Sequence, residues 1–337
     1  MVKIWQGMSE KKKRLLSGIG RAAISATLLT YVLLNTDLSQ LWASVQVSNY
    51  WLIALGIPMF WVTWSLQAVR WYVLLKALGW EVSYGQVWTI TQTSQFYSLF
   101  LPGKLGGELA RWLKLSQQTQ QTRTNVGLSI IVDRLVGLFA MSVLLVVGVF
   151  IYQGAIVTPP MRVIAVVMLL LMLVGGAAFI IGVRKVFPRW LQAWIERLGQ
   201  RIKIVSQLWE GLVAYEGKAG ALLLSLLWAV SVHVVHVLGR LVLANALGIH
   251  IALLDMLIVY VIVAMLTMIP VSMLGLGIRE ITYVQLLQFM GYSGPELTAI
   301  PLILFALVVL GALLLGGSIE LFGGLSKIVN AWKPSNS

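Results

Sequence analysis

The chain has 337 residues, 59% of them hydrophobic and only 11% charged, and its mean hydropathy is +0.87. A water-soluble domain carries about 25% charged residues, so this composition excludes one. The formal net charge of +13 indicates the cytoplasmic loops of a membrane protein rather than a nucleic-acid partner, because Lys and Arg fall between the apolar runs.

The first apolar run, 18–35, follows Lys11, Lys12, Lys13 and Arg14. That start imitates a signal peptide, but Arg21 interrupts the run and no small-residue cleavage site follows, so a retained helix is predicted. Further runs lie at 51–76, 125–152, 161–183, 219–247 and 297–323. A crossing helix needs about 20 apolar residues, and these runs meet that length. Barrel strands would alternate in polarity over about 10 residues, and these runs do not. An all-α, polytopic membrane protein is the expected fold class.

Charge sets the expected orientation. With Lys11–Arg14 inside, the loop 37–50 is outside and carries no Lys or Arg. Arg70 and Lys76 lie near the inner end of the next helix, and the uncharged loop 153–160 is again outside. Segment 184–218 holds Arg184, Lys185, Arg189, Arg197, Arg201, Lys203 and Lys218 and reads as a cytoplasmic linker. Its Trp190, Trp194 and Leu198 recur at helical spacing, which fits either an amphipathic helix on the inner leaflet or a solvated connector. Lys327 and Lys333 place the C-terminus inside, so the cell inner membrane with both termini cytoplasmic is expected. Trp42, Trp51, Trp80, Trp112 and Trp332 read mainly as interface anchors.

Two segments, 84–115 and 254–290, each run through apolar residues to a Pro, a Gly-rich turn and then charge. Ala77-Leu78-Gly79 stands before Pro102 as Ala246-Leu247-Gly248 stands before Pro270, with Arg70 and Arg240 ahead of each triplet. The order of features predicts an internal repeat, 37–152 and 219–329, whose halves enter from opposite sides. Proline removes a backbone donor, and Pro102, Gly103, Gly106, Gly107, Pro270, Gly275 and Gly277 are the expected hairpin turns. Broken backbone cannot face lipid, so two re-entrant hairpins meeting tip to tip are predicted.

Charges inside apolar runs are costly and mark pairs or pathways. Arg111, Arg134 and Arg279 read as forked donors for a phosphate, with Lys104 and Arg240 as further contacts. Half-helix N-termini after Gly106 and Gly277 would add N–H groups. Glu108, Asp133 and Glu280 read as coupling or ion-pair groups, and interhelical salt bridges that lock the hairpins are the competing reading. His233 and His236 lack a third ligand at metal-like spacing, so no metal is assigned. The chain has no cysteine, P-loop, nucleophile elbow or zinc-protease motif, so no cofactor and no catalytic residue are expected.

The runs LPGKLGGELARWLKL (101–115), VDRLVGL (132–138) and IP…GLGIRE (269–280), in that order, resemble the lysylphosphatidylglycerol synthase transmembrane-domain family. The likeness covers nearly the whole chain. Pro102 to Arg111 matches the family's Pro-Gly…Gly-Gly-acid…Arg signature, Asp133-Arg134 its acid-Arg pair, and Gly275 to Glu280 its Gly-x-Gly-x-x-Glu turn. Met273 and Leu274 stand where the family often has a second Pro or Gly. The resemblance implies a lipid-handling membrane part without the soluble aminoacyl-transfer domain. It implies movement of phospholipids or polyisoprenoid-linked lipids between leaflets.

Three functions follow, in order of preference. The first is an ATP-independent flippase for an anionic lipid, rocking one repeat against the other. The second is a membrane-embedded transferase acting on a polyprenyl-phosphate sugar, with Glu108 or Asp133 as base. The third is a scaffold for envelope-synthesis enzymes.

Overall fold

The computed structural model describes residues 38–100, 105–151, 187–268 and 275–323, with isolated positions between 27 and 34 and between 166 and 185. The described residues form helices and no strand. In chain order the helices are α1 (Leu38–Gln46), α2 (Tyr50–Ala77), α3 (Tyr84–Phe100), α4 (Leu105–Gln118) and α5 (Arg123–Ile151). A connector of α6 (Arg189–Arg201) and α7 (Lys203–Val213) leads to α8 (Ala219–Ala246), α9 (Leu253–Leu266), α10 (Ile278–Phe289) and α11 (Glu296–Gly323).

Four of these, α2, α5, α8 and α11, are long and apolar enough to cross a membrane, at 28 or 29 residues each. They coincide with the predicted runs at 51–76, 125–152, 219–247 and 297–323. The runs 18–35 and 161–183 fall largely outside the described residues, as do Pro102, Gly103, Lys104, Pro270 and Trp332. The outer faces of the long helices expose Val62, Leu135, Val147, Leu227, Leu238 and Leu314, a belt that water would not tolerate and lipid solvates. The protein is an all-α, multi-pass membrane protein.

Local chemistry explains the ends of the central helices. Asn49 caps α2, its side chain accepting from the N–H groups of Trp51 and Leu52 at 3.1 and 3.3 Å. Helices α2 and α8 then finish alike. Gly79 and Gly248 both take φ +79°, and Trp80 and Ile249 donate back to the carbonyls of Leu75 and Ala244. Asn49 N–H donates to the carbonyl of Ala246 at 2.9 Å, so the start of α2 meets the end of α8. At the other end Leu74 and Ala77 pack with Leu222 and Ala229. The pair is therefore antiparallel, and it forms the most extensive contact among the described helices.

After each central helix come two short helices and one long one. Helices α3 and α4 have 17 and 14 residues, α9 and α10 have 14 and 12. At 1.5 Å per residue none reaches the roughly 30 Å of a hydrocarbon core. One short helix after each central helix, α3 and α9, leans on the opposite long one. A Cβ on Gly148 of α5 would touch Ile258 of α9, and one on Gly316 of α11 would stand 2.5 Å from the Gln92 carbonyl of α3. Helix α11 widens to a π-turn at Ala312–Gly317, where it crosses α3.

Two sequence expectations need correction here. Gly106 and Gly107 lie in the first turn of α4, not in the reversal. Gly107 is needed because a Cβ would meet the Ser94 carbonyl at 2.9 Å. Trp80 is a core residue, 5% exposed, and Trp112 donates its indole N–H to the Arg123 carbonyl at 2.7 Å, so neither is simply an interface anchor. Trp42 and Trp51 are exposed, as anchors are.

Candidate functional site: two buried arginine clusters

The first cluster joins α2, α4 and α5. Asp133 is fully buried. Arg70 reaches it with a fork, Nε to Oδ1 at 2.7 Å and Nη2 to Oδ2 at 3.0 Å. Arg111 donates through Nη1 and Nη2 to the same Oδ2, both at 3.1 Å. Its Nη1 also lies 3.2 Å from Glu108, one turn away on α4. Glu108 in turn holds Arg134 at 3.3 Å.

The frame is built for these groups. The Arg111 guanidinium stacks 4.0 Å over the Trp71 ring, and Trp71 donates its indole N–H to Ser129 at 3.3 Å. Arg70 fits because residue 137 is glycine; a Cβ there would stand 2.7 Å from Nη1. Three cations (Arg70, Arg111, Arg134) share two carboxylates (Glu108, Asp133) in this network. Arg134 is the accessible member, its side chain 38% exposed.

The second cluster belongs to α8, α9 and α10. The Arg240 guanidinium lies 4.5 Å over the Tyr260 ring, and its Nη1 donates to the His236 carbonyl at 2.8 Å. Tyr283 stands beside both Arg240 and Arg279. Arg279 pairs with Glu280 and stacks 5.1 Å over Phe305 of α11. The other oxygen of Glu280 accepts the Gly277 N–H at 2.6 Å. The α10 N-terminus is therefore capped by its own acid, which corrects the expectation of a free donor there. Gly275 and Gly277 take φ +75° and +83°, a region that favours glycine, so the turn before α10 depends on both.

His233 links the clusters. Its Nε2 lies 3.1 Å from the Gly137 carbonyl, beside Arg70, and its Nδ1 lies 2.6 Å from the Tyr260 hydroxyl, beneath Arg240. A carbonyl only accepts, so Nε2 carries the proton and Nδ1 of the neutral ring accepts from Tyr260. Among the described residues no group of three His, Cys, Asp or Glu side chains converges as metal ligands.

The structure thus brings Arg111, Arg134, Glu108 and Asp133 together, and it places Arg279, Glu280 and Arg240 in the second unit. Sequence reasoning missed Arg70 as the main partner of Asp133; the signal was a lone arginine inside an apolar run, followed by a tryptophan. It also missed the pair between Lys114 of α4 and Glu320 of α11, which ties the two halves.

The fold and the paired charges among its apolar helices define a multi-pass helical membrane protein with buried ionic clusters. The chain belongs to the family of the lysylphosphatidylglycerol synthase TM region, which matches residues 18–316. Comparison with curated proteins and with solved structures gave no match.

Proposed function

We propose that the protein moves an anionic, phosphate-bearing lipid between leaflets without ATP, from the cell inner membrane with both termini cytoplasmic. The observation that carries this reading is an accessible arginine, Arg134, set beside buried ion pairs among apolar helices. Ionised groups in hydrocarbon cost several kcal/mol and usually pair or line a pathway, and a phosphate headgroup offers Arg134 an anion there.

On this reading α2–α5 and α8–α11 are inverted repeats, with re-entrant hairpins around Pro102 and Pro270. The antiparallel α2–α8 pair is the axis, and one unit rocks against the other. Arg134 meets the headgroup first, and Arg111 and Arg279 supply further donors. Glu108 pairs with both Arg111 and Arg134, and a proton taken up there weakens both pairs while Asp133 keeps hold of Arg111. That is a route to proton coupling, with Asp133 and Glu280 holding the frame.

The test is leaflet exchange in proteoliposomes. Fluorescent phosphatidylglycerol, phosphatidylethanolamine and a polyprenyl phosphate are reconstituted separately, and an impermeant quencher reads the crossing. Protein-dependent exchange of the anionic lipids, lost in Arg134→Gln and Arg279→Gln, is the expected result. Folded protein that exchanges none of them, with or without a pH gradient, refutes the reading.

A further inference from the structure

The two units treat their central arginines differently. Arg70 lies seven residues before the end of α2, and Arg240 lies six before the end of α8. Because the helices are antiparallel, the two guanidinium groups stand roughly 10 Å from opposite ends of the pair. Arg70 has Asp133. The positions answering Asp133 follow from the helix starts, 169 residues apart for Tyr50 and Ala219 and 173 apart for Arg123 and Glu296. They span Leu302, Ile303, Leu304, Phe305 and Ala306, and none is acidic.

Arg240 accordingly makes no ion pair among the described residues. Its Nε is buried without a hydrogen-bond partner. Beside it, at the crossing of α2, α8 and α11, a recess of about 10 Å³ lies between Met59, Phe60, Leu304 and Leu307, with Thr63 and His236 as its other polar residues; it has room for one water, so a larger ligand enters only when α8 and α11 part. Gly56 and Gly239 also line it, and Gly56 lets Leu307 approach. A cation with a spare donor at the wall of an apolar pocket matches one ligand chemistry: an oxyanion joined to an apolar body.

We propose that Arg240 is a binding site for a phosphate oxyanion, at the opposite end of the central pair from the Asp133 network. The apolar walls favour the phosphodiester of an anionic lipid, and inorganic phosphate shares the same recognition. Arg240 Nε and the Nη groups are the donors. Tyr260 and Tyr283 hold the guanidinium plane from within the second unit. For its biological use the site rests on the transport reading, because it would hold the headgroup after it leaves Arg134.

The experiment is equilibrium binding to the full chain in nonionic detergent, with phosphatidylglycerol, phosphatidylcholine and inorganic phosphate as separate probes. Removing a charge-assisted donor weakens binding about 10- to 100-fold. Arg240→Gln is expected to lose that much affinity for phosphatidylglycerol, and Arg240→Lys less. Leu304→Asp supplies the missing carboxylate and is expected to abolish binding as well. Arg197→Gln, on the exposed connector, is expected to change nothing. Phosphatidylglycerol bound above phosphatidylcholine assigns the site to lipid; inorganic phosphate bound equally well, and lost in the same variants, assigns it to the free anion. If folded Arg240→Gln binds both anions as the wild type does, the site is overturned, even where leaflet exchange is normal. Wild-type binding with no exchange of any lipid instead overturns transport and leaves the site standing.

Discussion

Asp133→Asn tests whether the first cluster holds the fold. The carboxylate accepts from two arginines through four N–O contacts of 2.7–3.1 Å and is fully buried. Asparagine keeps one carbonyl oxygen but turns an NH2 group toward a guanidinium, and it leaves Arg70 unneutralised and Arg111 with Glu108 alone. Breaking a buried pair from one side costs about 3–5 kcal/mol. The lower end is expected for Asn, which retains an acceptor, and the upper end for Ala. The assay is denaturant unfolding in detergent micelles, run as a cycle with Arg70→Gln. Each single variant should lose about 3 kcal/mol, and the double variant should recover a coupling of about 2 kcal/mol. An Asp133→Asn protein within about 1 kcal/mol of wild type, or a coupling near zero, would show that the network does not stabilise the fold.

Three further outcomes follow from single observations. Gly277 has φ +83° and its pro-Cβ position abuts Leu28, so Gly277→Ala should cost at least about 1–2 kcal/mol in the same unfolding assay. Tyr215 lies in the turn before α8 with its hydroxyl buried and unpartnered, and burial, then the Asp133 charge, raise its pKa. The folded pKa is above the unfolded value, so Tyr215 makes stability fall as pH rises past about 10. Tyr215→Phe should remove that share of the fall, and should gain about 1 kcal/mol at neutral pH, both read from unfolding at stepped pH. Trp190 and Trp194 on α6 are 71% and 57% exposed, beside Arg189 and Arg197. Brominated lipids should quench their fluorescence if α6 lies on the bilayer; unchanged emission would mark α6 as a solvated connector.

Much of the fold was legible because lipid imposes a simple rule on length. A run of apolar residues long enough to cross is visible without tertiary information, and the four long helices begin and end within a few residues of the runs. The twin ends at Ala77-Leu78-Gly79 and Ala246-Leu247-Gly248 were legible too, because a left-handed glycine closing a helix leaves a local signature. Partner choice was not. Arg70 and Asp133 are 63 residues apart, and nothing local to Arg70 distinguishes a buried pair from an inner-end snorkel. Gly106 and Gly107 misled for the same reason. Adjacent glycines fit a turn or a close helix crossing equally well, and only the position of the Ser94 carbonyl decides between them.

The distribution of carboxylates is the part with most bearing on function. Asp133 fixes α2, α4 and α5 to one another, so the first unit moves as a body if it moves at all. In the second unit Glu280 ties only its own turn, capping α10 and holding the adjacent Arg279. No acid bridges α8 to α11 at the level of Arg240, among the described residues, and their contact there is apolar packing around a pocket. Apolar packing tolerates small shifts that a forked arginine–carboxylate pair does not, because the pair weakens steeply with angle and distance. On the transport reading, any opening should therefore occur on the Arg240 side of α8, with the Asp133 side as the fixed reference. Spin labels on exposed positions of α8 and α11, Leu238 and Leu310, would measure it. A distance that broadens or shifts when phosphatidylglycerol is added, against an unchanged distance between labels on α2 and α5 at Val62 and Leu135, is the expected result. Equal shifts in both pairs would mean that Asp133 does not lock the first unit.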